Sequence, residues 1–388
     1  MQLIFKFFNY IFLGIILFPI YVLIRIISPI LLVRFKMLTS ERIGHFVGEF
    51  DTYISEKKFS KFFFFDVFAV GKDVCNNFFL KKIKKKLFIF PTKIVFIILN
   101  FVKFFGGKKH LINNTDRDLN NVIDRTKSSI KFTKHEEETG YKKLEKLGIK
   151  KKYKYICIGV RDNTYLQKNK TGIDYSYHSY RNADIKKYLF AANELTKLGY
   201  FVVRVGSVTK NKIKSKNPRI IDYSQSKLRS DFMDFFIISK STFFISTNYG
   251  LDCIPRLFRI PILYTNEASL KNIFIEYKKS IIIFKNFFYK KLNKKLTLSE
   301  MCSEGEYIHR NKKILVKQNT KEEIKIATLE MLHKVKKNNF SKNAMQKKFN
   351  NFFLKKAKKY KFIKDNHGKI FSSQIESNFL KKNINLFK

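Results

Sequence analysis

Polar residues follow three short apolar runs in the second half of the chain, at the points where buried strands would end. They are Arg161 and Asp162, then Arg204 and Gly206, then Thr247, Asn248 and Gly250. A guanidinium offers several donors in a fixed planar fork, and free backbone N–H groups before a helix favour an anion. These residue types therefore predict a binding site for a diphosphate. Alternatively, Arg161 and Asp162 pair with each other or cap a turn.

The stretch Tyr177–Asp184 is rich in aromatic and hydrogen-bonding side chains and precedes a predicted helix. Its candidate ligand-binding residues are His178, Tyr180, Arg181 and Asn182. Their rings and polar groups suit stacking on, or hydrogen bonding to, a nucleotide or a sugar. The alternative is structural, because Asn182 or Asp184 is also a good helix cap.

A second candidate site lies in Arg42–Asp51, which places two glycines, a histidine and two carboxylates close together. As a loop, this segment would hold a substrate that carries a hydroxyl group. His45, Glu49 and Asp51 are the candidate catalytic bases, since each can accept the proton of such a hydroxyl. The alternative is that a single histidine and scattered carboxylates are structural.

The sequence predicts no metal site and no cofactor. Asp116-Arg117-Asp118 has the spacing of a cation-binding pair, but it follows a polar run with no strand to deliver it. The four cysteines are scattered, which argues against a zinc site and a disulfide framework. Glycine-rich nucleotide-binding loops and the nucleophile elbow of hydrolases are also missing from the sequence.

Strands and helices alternate regularly from Tyr153 onward. The predicted strands are Tyr153–Val160, Tyr200–Val205, Arg219–Ile221, Thr242–Ser246 and Pro261–Tyr264, and the predicted helices are Ile185–Leu198, Leu228–Ser239, Leu251–Phe258 and Lys321–Val335. Such alternation predicts an α/β fold whose parallel sheet has helices on both faces. Parallel sheets of this kind bind ligands at the carboxyl ends of their strands, where the polar groups above would lie.

The amino-terminal region predicts contact with a membrane. Phe7–Ile24 is uncharged and long enough for a membrane helix, and the basic residues after it place the rest of the chain in the cytoplasm. Alternatively, Pro19 and Pro29 bend the segment, so that it lies partly in the membrane interface without spanning the bilayer. The apolar stretch Leu87–Phe105 follows a lysine-rich run, so it suits either an interfacial helix or a core element.

These features divide the chain into five parts. They are a membrane segment (1–36), an amino-terminal domain (37–112), a connector (113–151), a nucleotide-binding α/β domain (152–336) and a basic tail (337–388). The net charge of +47 would suit nucleic acid or an anionic membrane. Because the lysine excess accompanies abundant Phe, Asn and Ile, it is better explained by biased composition, and no nucleic-acid partner is expected.

Six short motifs occur in order along 38–335. They are Arg42–His45, Val160–Leu166, His178–Ile185, Gly199–Gly206, Phe244–Pro255 and Asn319–Ile324. Together they resemble bacterial membrane-associated glycosyltransferases of the GT-B type, encoded among surface-polysaccharide and lipopolysaccharide genes. Arg161 also resembles the strand-end arginine of fucosyltransferase-like enzymes, which contacts the donor diphosphate.

The resemblance implies a GT-B-like fold of two Rossmann-like domains facing a cleft. The carboxyl-terminal domain would bind a nucleotide-sugar donor, the amino-terminal domain an acceptor, and no metal would be essential. The expected activity is transfer of a sugar to a glycan or a lipid-linked acceptor at the cytoplasmic face of the bacterial inner membrane. Two rivals are a non-catalytic assembly protein with the same fold and a basic protein that binds nucleic acid.

Overall fold

The computed structural model describes residues 2–162, 164, 176–207, 212–360, 368, 370–383 and 387, and for 2–10, 176–178 and 306–307 it describes the backbone only. The chain divides into two compact units, Met1–Asp116 and Arg117–Lys388. Here they are called unit 1 and unit 2. Each has its own parallel β-sheet.

Unit 1 is built on a three-stranded parallel sheet. Its strands are β1 (Leu32–Leu38), β2 (Phe64–Val70) and β3 (Phe88–Ile89), and its helices are α1 (Gln2–Ile26), α2 (Ile43–Lys57), α3 (Asn77–Ile83) and α4 (Thr92–Phe104). The strand order is β1-β2-β3, and Leu111 adds a parallel bridge beside Phe35 of β1. Helices connect the strands, as parallel pairing requires.

The core of unit 1 lies between this sheet and α4. Phe35 of β1, Val67 of β2 and Val95 of α4 belong to one buried cluster. The alternation of buried and partly buried residues along β1 comes from the period of two in a strand, so Val33 and Phe35 share the buried face.

The predicted membrane segment, 1–36, forms α1 and the first part of strand β1. Among the residues described, no helix has the length and apolar character needed to cross a bilayer, so the expected transmembrane anchor is not found. The rings of Phe18 and Tyr21 in α1 pack against Phe101 of α4, with centroids 5.6 Å apart in each pair. The Tyr21 hydroxyl also donates a 2.9 Å hydrogen bond to the Gly106 carbonyl.

Unit 2 has a seven-stranded sheet that is parallel throughout. Its strands are β4 (Tyr155–Ile158), β5 (Phe201–Arg204), β6 (Ile220–Asp222), β7 (Phe244–Ser246), β8 (Ile262–Glu267), β9 (Ser280–Phe284) and β13 (Gln374–Ile375), in the order β13-β9-β8-β7-β4-β5-β6. A smaller antiparallel sheet consists of β10 (Asn286–Tyr289), β11 (Lys294–Lys295) and β12 (Ile314–Lys317). The strand order reverses between β4 and β7, which is where doubly wound sheets bind ligands.

The helices of unit 2 are α5 (Lys134–Lys146), α6 (Leu189–Lys197), α7 (Asp231–Ser239), α8 (Cys253–Leu257), α9 (Leu298–Glu304), α10 (Lys321–Lys336), α11 (Ala344–Lys359) and α12 (Ser377–Lys382). Short 3₁₀ turns at Ser176–Arg181, Ile185–Tyr188, Gly250–Asp252 and Gly305–Arg310 lie between elements. Helix α10 begins with a reciprocal capping box formed by Thr320 and Glu323.

The predicted α/β fold with a parallel sheet is confirmed. The predicted strands and helices of 153–335 are present with ends that differ by up to four residues, as expected where ends fray or become 3₁₀. Residues 337–388, set apart above as a tail, supply α11, α12 and the edge strand β13. That two domains face a cleft stays a prediction from the resemblance.

Gly140 in α5 permits close packing against α7. A Cβ at this position would lie 2.4 Å from ring atoms of Phe236, which is fully buried. In a helix Ala is favoured over Gly by about 1 kcal/mol, but overpacking a buried contact costs about 1–3 kcal/mol. We therefore expect Gly140→Ala to lower the unfolding free energy, by up to about 2 kcal/mol in urea titrations. Lys142→Ala, on the exposed side of α5, is the control, and equal stability of the two variants would contradict this packing.

Candidate functional site

A cavity of about 570 Å³ lies at the carboxyl edge of the sheet in unit 1. Its lining residues are Lys36, Met37, Thr39, Glu41, Arg42, His45, Glu49, Asn114, Thr115 and Asp116. They come from the end of β1, the first turns of α2 and the segment after Leu111, which runs parallel to β1. The topology therefore collects these polar groups at the edge where parallel α/β sheets bind ligands.

His45 and Asp116 form a pair in this cavity. Nδ1 of His45 lies 3.3 Å from Oδ2 of Asp116, and their side chains are 43% and 20% exposed. The hydrogen bond with Asp116 raises the pKa of His45 above its ordinary value, although partial burial acts in the opposite direction. Because Asp116 binds Nδ1, the second ring nitrogen, Nε2, is the one suited to exchange a proton with a ligand.

Glu49 has a different environment from His45. Its carboxylate accepts a hydrogen bond of 2.8 Å from the Thr39 hydroxyl and lies 3.5 Å from Nζ of Lys36. Lys36 also donates to the carbonyl of Asn114, and burial lowers its pKa. With these partners, Glu49 joins α2 to the end of β1.

The prediction that Arg42–Asp51 is a loop is wrong, because α2 begins at Ile43. Arg42 is its N-cap residue, so His45 lies in the first turn, at the edge of the cavity. The helical spacing separates the three candidate bases. Asp51 is 1% exposed and does not line the cavity, whereas His45 and Glu49 do.

In unit 2, Arg161 lies beyond the carboxyl end of β4. Its backbone N–H donates to Oγ1 of Thr247 at 2.9 Å, and its Nε lies 3.4 Å from Oδ1 of Asn182. Arg161, Asn182 and Thr247 are therefore brought together, although they are far apart in the sequence. Asp162 accepts a hydrogen bond from the Thr164 amide, which is the turn-capping role considered above.

Lys285, directly after β9, supports the segment that contains Tyr180 and Asn182. Its ammonium group donates to the carbonyls of Tyr180 at 2.6 Å and Asn182 at 2.9 Å, and the residue is 5% exposed. Burial lowers the pKa of Lys285 to about 8, partly offset by Glu267. The Tyr180 ring stacks on His309, with centroids 3.7 Å apart and planes within 5°.

The segment Ser246–Gly250 does not offer all the free N–H groups that the sequence suggested. The Asn248 amide donates to the Ser246 hydroxyl at 3.1 Å, and the Tyr249 amide donates to Asp252 at 2.8 Å. Asp252 is 1% exposed, and burial raises its pKa to about 7. Because a buried carboxyl group already caps this turn, the turn is less suited to an anion than expected, and Gly250 begins only a short 3₁₀ turn.

Asn248 forms a link between neighbouring strand ends. Its backbone is left-handed, with φ of 55°, which asparagine tolerates. The side-chain amide of Asn248 donates to the carboxylate of Glu267 and to the carbonyl of Asn272. The backbone carbonyl of Asn248 accepts a hydrogen bond from Arg181. Glu267 is buried, which raises its pKa. This network fixes Arg181 at the carboxyl edge of the sheet.

Arg204 lies apart from this network. It is 2% exposed, and its Nη1 is 3.3 Å from Oδ2 of Asp222, so this arginine bridges the ends of β5 and β6. Gly206, two residues later, has φ of 146°, a conformation that residues other than glycine rarely adopt. The backbone of His178 lies in the 3₁₀ turn Ser176–Arg181, but its side chain is outside the described residues. Asn163, Tyr165 and Leu166 of the second motif are also outside them.

Three residues of these sites were missed from the sequence. Asp116 was considered only as a metal ligand, yet it pairs with His45, while Asp118 caps the backbone amides of Val122 and Ile123. Glu267 is the last residue of β8, and Lys285 directly follows the apolar run that ends β9. A charged residue at the carboxyl end of a buried strand is the sequence signal that could have identified Glu267 and Lys285.

No protein-family model and no curated protein sequence matches this chain. Among solved structures, it is similar to a glycosyl transferase of family 9 from Veillonella parvula, with 11% identity, a TM-score of 0.46, and coverage of 78% of this chain and 98% of the other. It is also similar to E. coli ADP-heptose LPS heptosyltransferase II, with 10% identity, a TM-score of 0.47, and coverage of 78% and 100%. A third similar structure, the iron-containing heptosyltransferase TibC, has 10% identity, a TM-score of 0.35, and coverage of 80% and 76%. At these values, similarity alone assigns neither a family nor an activity.

We predict that Asp116→Asn lowers the pKa of His45, because the anionic hydrogen-bond partner that favours the imidazolium is replaced by a neutral amide. The measurement is an NMR titration of the histidine ring protons, with the His45 signal assigned by its loss in His45→Gln. Glu41→Gln, in the same cavity, is the matched control and should change this pKa less. An unchanged pKa in Asp116→Asn would show that the two side chains do not interact in solution.

Proposed function

We propose that this chain is a glycosyltransferase of the GT-B type that transfers a sugar from a nucleotide-sugar to a hydroxyl group of a glycan or lipid-linked acceptor. The observation that carries the proposal is the His45–Asp116 pair in an open cavity at the carboxyl edge of the sheet in unit 1. An acceptor hydroxyl needs a base when it attacks a sugar carbon. A histidine with an oriented, anionic partner has the residue type and the geometry of such a base.

In the proposed reaction, Nε2 of His45 takes the proton of the acceptor hydroxyl as its oxygen forms a bond to the anomeric carbon of the donor sugar. The bond from that carbon to the nucleoside diphosphate breaks, and the diphosphate leaves with the bonding electron pair. Asp116 keeps the proton on Nδ1 and stabilises the imidazolium that forms, because their hydrogen bond favours the charged ring. This role corresponds to an inverting transfer, in which one displacement is sufficient.

Unit 2 would bind the donor at the carboxyl edge of its seven-stranded sheet. Arg161 and Arg181 supply permanent positive charge there, and a planar guanidinium suits the oxygens of a diphosphate. Lys285 would hold the segment Tyr180–Asn182 in place through its two hydrogen bonds to carbonyl groups. No cofactor takes part, since the nucleotide-sugar is a substrate, and no metal is essential in this proposal.

The rival proposals make different predictions. A non-catalytic protein with this fold has no use for a histidine whose basicity is increased by a carboxylate in an open cavity. A protein that binds nucleic acid through its net charge would lose affinity steeply as salt increases and would show no preference among nucleotide-sugars. The acceptor in surface-polysaccharide synthesis and the location at the cytoplasmic face of the bacterial inner membrane belong to the proposal as well.

The donor site is tested by calorimetric titration of the full chain with UDP-, GDP-, dTDP-, CMP- and ADP-sugars. We expect one donor class to bind, and Arg161→Ala to weaken its binding by about ten- to a hundredfold, because a charge-assisted hydrogen bond contributes about 1.5–3 kcal/mol. Arg219→Ala is the matched control, since it removes the same charge before β6, at the amino edge of the sheet. If a folded protein bound none of these donors, the proposal would be rejected.

The base is tested by turnover of the bound donor with a lipid-linked or soluble glycan acceptor. We expect His45→Gln to reduce kcat by about 10²–10⁴-fold, the usual contribution of general base catalysis, while donor affinity stays unchanged. In the wild-type protein, activity should fall as the pH decreases through the pKa of His45. Asp116→Asn should move this limb to lower pH and reduce the rate, because its histidine is less basic and less well oriented. Full activity of His45→Gln would eliminate His45 as the base.

A further inference from the structure

Helix α1 exposes apolar residues on its outer side. From Ile11 to Ile26, every exposed residue is apolar except Arg25. The most exposed of these are Phe12, Ile15, Leu23 and Ile26, at 63%, 68%, 56% and 69%. The surface helices of a water-soluble protein are polar on this side, whereas a helix that is apolar on all sides is enclosed by protein or by lipid.

This outer side continues onto the amino edge of the sheet in unit 1. Ile30, just before β1, is 94% exposed, and Phe104 and Phe105, at the end of α4, are 84% and 49% exposed. Phe104 and Phe105 pack edge to face, with centroids 4.9 Å apart. We name the outward residues of α1, together with Ile30, Phe104 and Phe105, the apolar surface. Isolated exposed apolar side chains need no explanation, but a contiguous group of them indicates a binding surface.

Polar contacts hold the carboxyl-terminal half of α1 against unit 1 in this position. Arg25 donates from Nη1 to the Phe105 carbonyl at 2.9 Å and to the Tyr21 hydroxyl at 3.1 Å. Lys109 donates to the Ser28 hydroxyl at 2.6 Å. The buried residues Leu17 and Tyr21 lie one turn apart on the inner side of α1, so its outer side stays exposed.

The charge around the apolar surface has a single sign. The chain has no acidic residue before Glu41, and between Val74 and Thr115 it has nine lysines and no acidic residue. Lys84, Lys85 and Lys86 are exposed between α3 and β3, and Lys108 and Lys109 are exposed between α4 and Leu111. Because parallel strands all begin at the same edge, these lysines and the end of α4 lie at the amino edge of the sheet.

We propose that unit 1 binds the surface of an anionic lipid bilayer, with α1 lying in the membrane interface and these lysines contacting the lipid headgroups. An apolar helix face buried in the outer part of a bilayer, with adjacent lysines at the level of the anionic headgroups, is the arrangement that such surfaces adopt. A second protein copy would also cover apolar residues, but it would bring the same excess of positive charge against these lysines. The inference rests on unit 1 alone and does not depend on the proposed reaction.

The test is flotation of the full-length chain with phosphatidylcholine vesicles that contain or lack phosphatidylglycerol. We expect binding to the anionic vesicles that weakens, but persists, as salt increases, because only its electrostatic part is screened. Replacing Lys84, Lys85 and Lys86 by Glu should reduce binding by at least about a hundredfold at low salt, since each lysine contributes about a fivefold factor and each Glu adds repulsion. The control with the same charge change is Lys290, Lys291 and Lys312→Glu, at exposed positions in unit 2.

A second variant tests the apolar contribution. Ile15→Ser, Ile16→Ser and Leu23→Ser together should abolish the binding that persists at high salt, while Leu292→Ser in unit 2, where Leu292 is 72% exposed, should not. Circular dichroism should be unchanged, because these side chains are exposed. If the lysine variant and the serine variant bound vesicles as well as their controls in unit 2, the proposal would be overturned. If the wild-type chain instead bound no vesicles and formed a dimer in analytical ultracentrifugation, and only the serine variant were monomeric, a second copy would cover this surface.

Discussion

The candidate base of unit 1 depends on one short parallel pairing. Leu111 pairs with Phe35, and the Ile112 amide donates to the Phe35 carbonyl at 3.1 Å. From this point the chain continues in the direction of β1, so Asp116 reaches the carboxyl edge, where His45 lies in the first turn of α2. Asn114 strengthens the arrangement, since its amide donates to the Glu49 carbonyl at 2.7 Å and to the Thr52 hydroxyl at 3.0 Å. This pairing, and not the local sequence, brings Asp116 beside His45.

Unit 2 meets a different requirement, because the carboxyl edge of its sheet buries several charged or amide side chains. Burial without partners would cost several kcal/mol for each ion, so these groups must satisfy one another. Asn266 and Asn319 exchange hydrogen bonds between side chain and backbone, at 2.6 and 2.7 Å, and Asn319 also donates to the Phe284 carbonyl. Glu267 accepts from Asn248 and from the Ala268 amide. A network satisfied in this way holds the loops rigidly, as a donor site would require.

The sequence could predict what depends on local pattern. The period of apolar residues was sufficient for strands β4 to β8 and for helices α6, α7, α8 and α10, but not for strands β9 to β12 or helix α9. Pairing between distant residues has no such local signal. Asp116 was therefore considered with its neighbour Asp118, although the two carboxylates have different partners. The loop expected around His45 is a helix, because burial of Phe46 and Phe50 stabilises α2 although glycine disfavours a helix.

Within unit 1, the two edges of the sheet differ in character. The carboxyl edge has the cavity, whose lining includes both acidic and basic side chains, whereas the amino edge has lysines and exposed aromatic rings. Parallel topology produces this separation, because each loop after a strand lies at one edge and each helix ends at the other. Anionic headgroups would attract the amino edge and repel the carboxylates of the cavity. Over distances beyond about 10 Å salt screens this repulsion, so the cavity stays available to a hydroxyl-bearing acceptor while the opposite edge is in contact with lipid.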